Sequence, residues 1–123
     1  MQLLTASYKT YRPGTGSPVC TSLTTPRWRP EAADWPRCWP LTPRWSYFRA
    51  SDDEFAKTYA EQLDRYGPQR IAAILADIAA NAYEAPSGRL VLICWEADPA
   101  RCHRRQFAAW WLRTTGEPIH ELT

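Results

Sequence analysis

The run Leu90-Val91-Leu92-Ile93-Cys94 constrains the fold of this chain more than any other feature. Strands that are half exposed alternate apolar and polar side chains. A run with no polar side chain needs cover on both faces, which is the situation of a central strand in a parallel sheet. Within about a dozen residues the chain then brings two thiols, a carboxylate, an imidazole and a guanidinium: Cys94, Cys102, Glu96, His103 and Arg104. Phe107, Trp110, Trp111 and Thr114 follow at helical spacing. Strand, tight loop and helix start therefore succeed one another over 90–114. Open α/β folds place ligands just past the carboxyl end of a strand, against a helix N-terminus. Residues 94–104 are the candidate site.

The remaining elements follow from local signals. Gln2–Ser7 reads as a first strand and 19–23 as a second, with a loop over 8–18. Ser51-Asp52-Asp53-Glu54 is a capping box, with acids at the positive end of the helix dipole. Phe55, Tyr59, Leu63 and Tyr66 give that helix its apolar stripe, and Gly67-Pro68 ends it and begins the next. Ile71, Ile74, Leu75, Ile78 and Ala82 mark the second stripe. Residues 118–122 fit only an edge strand, because Pro118 lacks a backbone donor. The expected architecture is a small α/β three-layer sandwich, a single domain over 1–123, with a mostly parallel, Rossmann-like sheet. Its exception is 24–50, where Pro26, Pro30, Pro36, Pro40 and Pro43 interrupt regular structure. Trp28, Trp35, Trp39 and Trp45 give this stretch enough apolar surface to pack. It is expected to be an ordered, irregular excursion with a short helix near 43–48.

Composition narrows the class. The 123 residues are 45% hydrophobic, which suits one globular core. No run of about 18 apolar residues is present, so no membrane partner is expected. Met1-Gln2-Leu3-Leu4 lacks the basic region and apolar run of a signal peptide, so the expected location is cytoplasmic. In that compartment Cys20, Cys38, Cys94 and Cys102 are expected to be reduced. The net charge of +2 divides into +5 over residues 1–50 and −3 over 51–123. A basic, Trp-rich surface can attract a polyanion, and acidic helix faces produce the same split.

Cys94, Glu96 and His103 are the candidate catalytic residues. A thiol near a helix start and an arginine gains thiolate character, and Glu96 is placed to orient His103 or act as a base. Cys102, Arg104, Ser7, Tyr8, Ser22 and Arg27 are the candidate ligand-binding residues. Arg104 offers a planar fork for phosphate or carboxylate, and the other loops belong to strand ends that share the same mouth. The competing reading makes Glu96–Arg104 an ion pair that only pins the loop. Neither a metal nor a cofactor is predicted. Cys102 and His103 are adjacent on a helix, so their side chains diverge by about 100°, and no Cys-x-x-Cys pair exists. Arg27-Trp28-Arg29, Arg37 with Trp39, and Arg44-Trp45 admit stacking on single-stranded nucleic acid. They equally admit indoles packed inward beneath arginines in cation–π contact, which is the reading expected.

Cys94-x-Glu96, followed by Cys102-His103-Arg104 and the apolar helix 105–112, resembles the bacterial and phage family known as domain of unknown function 488. The closing Gly116-Glu117-Pro118-Ile119-His120-Glu121-Leu122 is similar to that family's ending. Upstream, 22–28, Leu41-Thr42-Pro43-Arg44-Trp45 and the helix from Glu54-Phe55 to Gln62-Leu63 resemble its other elements. The family has glycine and a basic residue where this chain has Thr24-Thr25. The resemblance implies a fold and a site and leaves the reaction open. The functional expectation is a nucleotide or other phosphorylated or anionic small ligand bound at 94–104, with enzymatic chemistry open. The alternative is a non-catalytic module for nucleic acid or protein, phage- or defence-related, in which the Glu96/Arg104 cluster is structural.

Overall fold

The computed structural model describes residues 1–82, 88–95 and 103–122. Four strands, β1 (Gln2–Ser7), β2 (Ser17–Cys20), β3 (Arg89–Cys94) and β4 (His120–Glu121), form one parallel sheet in the order β2-β3-β1-β4. The helices are α1 (Trp45–Phe48), α2 (Asp52–Tyr66), α3 (Pro68–Ala80) and α4 (His103–Thr115). The apolar run lies in an interior strand, as its composition requires. It pairs with β1 from Leu3↔Leu90 to Ser7↔Cys94 and with β2 from Ser17↔Leu90 to Cys20↔Ile93.

The period of two divides the core. Leu90 and Leu92 join Leu3 and Val19 beneath Leu63, Ile71, Leu75, Phe107 and Trp111 of the three long helices. Val91 and Ile93 join Leu4 and Ala6 on the other face, against Tyr8, Tyr11, Ala32 and Trp35. Crossovers between parallel strands are right-handed, so connections running in opposite directions along a sheet lie on opposite faces. The β2-to-β3 and β3-to-β4 connections run one way and carry the helices. The β1-to-β2 connection runs the other way. It has only nine residues, 8–16, too few for a helical crossover. The third layer is therefore irregular rather than helical.

The excursion wraps the outer edge of β2. The Cys20 amide donates to the Pro36 carbonyl at 2.8 Å, and the Cys38 amide donates to the Cys20 carbonyl at 3.0 Å. The chain thereby passes from the face of Ala32 and Trp35 to the face of Cys38 and Leu41 and covers an exposed strand edge. Its carbonyls are satisfied by α2. Tyr59 Oη donates to the Leu41 carbonyl at 2.7 Å, and Gln62 Nε2 donates to those of Pro40 and Thr42 at 2.9 Å each. The Ser51 hydroxyl accepts the Glu54 amide at the start of α2, as the capping box predicts. Trp45–Phe48 is the short helix expected there.

Several boundaries depart from the sequence reading. β2 is Ser17–Cys20, not 19–23. Pro18 is tolerated because amides two apart point the same way, and the Cys20 amide points outward to Pro36, away from β3. β4 is only His120–Glu121, beginning beyond Pro118. α3 stops at Ala80, short of the stripe's last residue. The indoles do not all pack inward: Trp28, Trp39 and Trp45 are 62%, 50% and 64% exposed. The expected cation–π layering is present on Trp35, from Arg29, and on Trp39, from Arg37 and Arg44.

Gly16 sits where the β1-to-β2 connection passes closest to the sheet. Its φ is +150°, and a Cβ there would lie 3.0 Å from both Arg89 Cγ and Val91 Cγ2. Gly14, at φ +90°, faces open space. Gly16→Ala is expected to destabilise the fold by about 3 kcal/mol, through strain and steric displacement together. Gly14→Ala is expected to cost about 1 kcal/mol from backbone strain alone. Urea unfolding of the two variants checks the ranking.

Candidate functional site

The carboxyl ends of β1, β2 and β3 meet the start of α4. Ser7 is opposite Cys94, the Tyr8 amide donates to the Cys94 carbonyl at 3.1 Å, and the Thr21 amide donates to the Ile93 carbonyl at 2.9 Å. Two adjacent residues then open α4 and reach in different directions.

His103 reaches β2's end. Its Nε2 lies 2.6 Å from the Thr21 carbonyl oxygen and 3.0 Å from Thr21 Oγ1. A carbonyl only accepts, so Nε2 carries the proton. The Thr21 hydroxyl spends its own proton on the Ile93 carbonyl at 3.0 Å. The ring stands edge-on to Tyr59, with centroids 5.4 Å apart. Burial pushes the imidazole pKa down to about 4, and the Arg104 charge pushes the same way, against the Thr21 carbonyl. His103 is therefore neutral at pH 7 and buried.

Arg104 reaches β3, β1 and β4. It is the largest fully buried side chain among the described residues. Nε lies 3.0 and 3.1 Å from the two carboxylate oxygens of Glu121, and Nη2 lies 2.8 Å from Oε2, so the guanidinium forks onto the carboxylate. Nη1 donates to Cys94 Sγ at 3.0 Å. Glu121 Oε1 also accepts from Thr5 Oγ1 at 2.6 Å. The expected acid partner, Glu96, lies outside the described residues, as does Cys102. Among the described residues, Glu121 is an acid that Arg104 holds. The expectation of four reduced thiols does not hold throughout. Cys20 and Cys38 are free, but Cys94 is disulfide-bonded.

Tyr8 and Ser22 are brought together. Ser22 Oγ donates to the Thr24 carbonyl at 2.7 Å, so the Tyr8 hydroxyl donates to Ser22 Oγ at 2.6 Å. Trp95 Nε1 donates to that same Thr24 carbonyl at 2.9 Å, and its ring stands edge-on to Tyr8 at 5.7 Å. Burial raises the Tyr8 phenol's pKa, which keeps it a donor. Ser7 turns its hydroxyl to Thr10 at 3.1 Å and stays within its own turn. Arg27 is exposed and makes no hydrogen bond or ion pair among the described residues. Thr5, Thr21, Trp95 and Glu121 were not among the expected site residues. Glu121 had a signal, as an acid within an otherwise strand-like ending. Thr21 had none, because its role depends on where β2 stops. Among the described residues, no group of three or more His, Cys, Asp and Glu is placed to hold a metal ion. No described helix is long and apolar enough to cross a membrane.

Two measurements test this geometry. The folded pKa of His103 lies below its unfolded value near 6.5, so the unfolded chain binds more protons between the two. The stabilisation is complete above pH 6.5 and declines as pH falls towards 4, by about 3 kcal/mol for that residue. His103→Gln is expected to flatten urea-unfolding stability over this window. Arg104→Met should destabilise by about 3 kcal/mol by leaving the Glu121 carboxylate unpaired. Adding Glu121→Gln should restore much of that loss. A double variant no more stable than Arg104→Met would show that the cost lies elsewhere.

No curated protein and no solved structure shows a significant match to the chain. A family profile described as "Domain of unknown function DUF488" matches residues 36–111, more than half of the chain. The match takes in β3, its carboxyl end, and the greater part of α4 with His103 and Arg104. On that match, with the parallel α/β fold around it, the chain belongs to the DUF488 family.

Proposed function

We propose that this domain binds a small phosphorylated or otherwise anionic ligand, of nucleotide class, at the strand-loop-helix site 94–104. One observation carries the reading. In the order β2-β3-β1-β4, the connection leaving β1 lies on one face and the connection leaving β3 lies on the other. The carboxyl ends of β1 and β3 therefore diverge at a topological switch point, where open α/β sheets receive ligands. Amides at the start of the 13-residue α4 favour an anion there. Lys9 and Arg27, exposed on the loops after β1 and β2, add positive potential at that edge.

Within this reading Arg104 is a positioning residue, since its fork is engaged by Glu121 and Cys94. His103, neutral and held by Thr21, positions α4 as well. Tyr8, Ser22 and Trp95 form one wall. Binding rather than catalysis is the activity proposed, because Cys94 sulfur is bonded and His103 is buried. The closed Arg104–Glu121–Thr5 network favours a second reading, a non-catalytic interaction module for nucleic acid or protein in which the cluster is only scaffold.

Amide and indole NMR shifts during titration with ADP at low salt separate the two. Perturbation centred on Trp95, Ser22 and His103 is the expected result, with affinity falling as salt rises. Lys9→Ala/Arg27→Ala should weaken binding several-fold. Absence of shifts at these residues at millimolar ADP would leave the scaffold reading standing.

A further inference from the structure

A concavity lies away from the strand ends and shares no residue with them. It is a cleft of about 440 Å³ between the excursion, α1 and the facing ends of α2 and α3. Thr58, Gln62 and Arg65 line it from one stripe of α2, at the i, i+4, i+7 spacing of a single helix face. Arg44 and Tyr47 line it from the excursion and α1, and Tyr66 and Arg70 from the α2–α3 junction.

Its charge is one-sided. Three arginines line the cleft and no carboxylate does. The described ion pairs are Arg29–Glu31 and Arg104–Glu121, so none of the three guanidiniums is neutralised by an acid among the described residues. Acids are abundant nearby: α2 carries Asp52, Asp53, Glu54, Glu61 and Asp64. None of them lines the cleft, and Asp64 accepts from Trp110 Nε1 at 2.8 Å. Three like charges around one hollow raise the energy of the empty protein, and an anion relieves that cost.

The wall is also built in advance. Arg44 Nη1 donates to the carbonyls of Trp39 and Thr42, at 3.1 Å each, and Nη2 lies 3.4 Å from the Tyr66 hydroxyl. Its guanidinium stands 5.5 Å from the Trp39 ring centre. These partners fix the group without neutralising it. Gln62 is buried and locked by the Pro40 and Thr42 carbonyls, with the Tyr47 hydroxyl donating to its side-chain oxygen. Arg65 and Arg70 are exposed and form no hydrogen bond among the described residues, so their donors are available. Arg70 lies 5.2 Å over the Tyr66 ring. One fixed guanidinium faces two adaptable ones across a floor of aromatic and hydroxyl groups. That arrangement suits an oxyanion carrying two or more charges, and the volume leaves room for an attached organic group.

We propose that this cleft is a binding site for a pyrophosphate or phosphomonoester group, with Arg44, Arg65 and Arg70 as its ligands. The test titrates the full chain with inorganic pyrophosphate at low salt, by calorimetry and by amide NMR. Saturable binding is expected, with shifts centred on Thr58, Gln62, Tyr66 and Arg70. Arg65→Gln/Arg70→Gln changes only exposed side chains and should weaken binding about tenfold or more with unfolding unchanged. Arg105→Gln/Arg113→Gln removes the same charge from exposed positions on α4 and should leave affinity within about twofold. Equal weakening by both pairs, or shifts confined to Trp95 and His103, would overturn the proposal, as would no saturable binding. Because the readout residues differ, failure here and failure at the strand-loop-helix site are separately visible.

Discussion

The buried pair of Arg104 and Glu121 is the contact on which the arrangement of strands and α4 depends. A guanidinium taken out of water incurs a large desolvation cost, repaid only when its donors meet well-placed acceptors. Here two nitrogens fork onto one carboxylate and a third meets Cys94 sulfur, while Thr5 donates to the same carboxylate. Four elements are tied by this one cluster: α4, β3, β1 and β4. The last of these has the most to gain. β4 is two residues long, and Pro118 withholds a donor just before it. Backbone pairing over so short a length does not hold a strand in place. The carboxylate of Glu121, anchored under α4, supplies what the ladder lacks and closes the open edge of β1.

His103 completes the fastening from the other side. Neighbouring helical residues diverge by about 100°. The same divergence lets His103 and Arg104 reach different strands. The imidazole is directed to Thr21 beyond β2, and the guanidinium to Cys94 and Glu121. The first turn of α4 thus straddles β3 and is held on both sides. Only a neutral histidine suits this position, since an imidazolium beside the buried Arg104 charge would set two cations against each other. The depressed imidazole pKa and the Nε2–H tautomer are therefore consequences of one placement.

Much of this was legible in the chain because the signals were local or strictly periodic. The run 90–94 has no polar residue and so dictated an interior strand, and Ser51 with Glu54 marked the start of α2 to the residue. Pro43 to Phe48 announced a short helix for similar reasons. What failed to show depended on distant parts of the fold. Pro18 argues against a strand unless the outward direction of its nitrogen is known, and that direction is set by residues 36–38. Glu121 is 17 residues from Arg104 and on another element, so nothing local in the sequence marks the two as partners. The indoles of Trp28 and Trp45 were expected to be core because apolar surface normally is. Their neighbours Pro26 and Pro43 instead take the buried places in the two Thr-Pro-Arg-Trp segments.

The irregular layer accounts for the gathering of positive charge away from the strand ends. A nine-residue connection on the second face leaves no helix to bury β2's outer edge and the sheet beneath it. The excursion does that work, and its five prolines leave many carbonyls without intrasegment donors. Arginine is well suited to supply them, because its fork reaches two carbonyls while its charge remains. Arg29 bonds the Tyr8 and Tyr11 carbonyls, and Arg44 those of Trp39 and Thr42. Each such arginine satisfies backbone without meeting a carboxylate through those bonds. Arg29 has Glu31 beside it, whereas Arg44 has no acid partner among the described residues. The basic character of the first 50 residues is in this sense a by-product of covering a sheet with loop. Where the cover meets α2 at Arg44, the unspent charge gathers with that of Arg65 and Arg70 around one hollow.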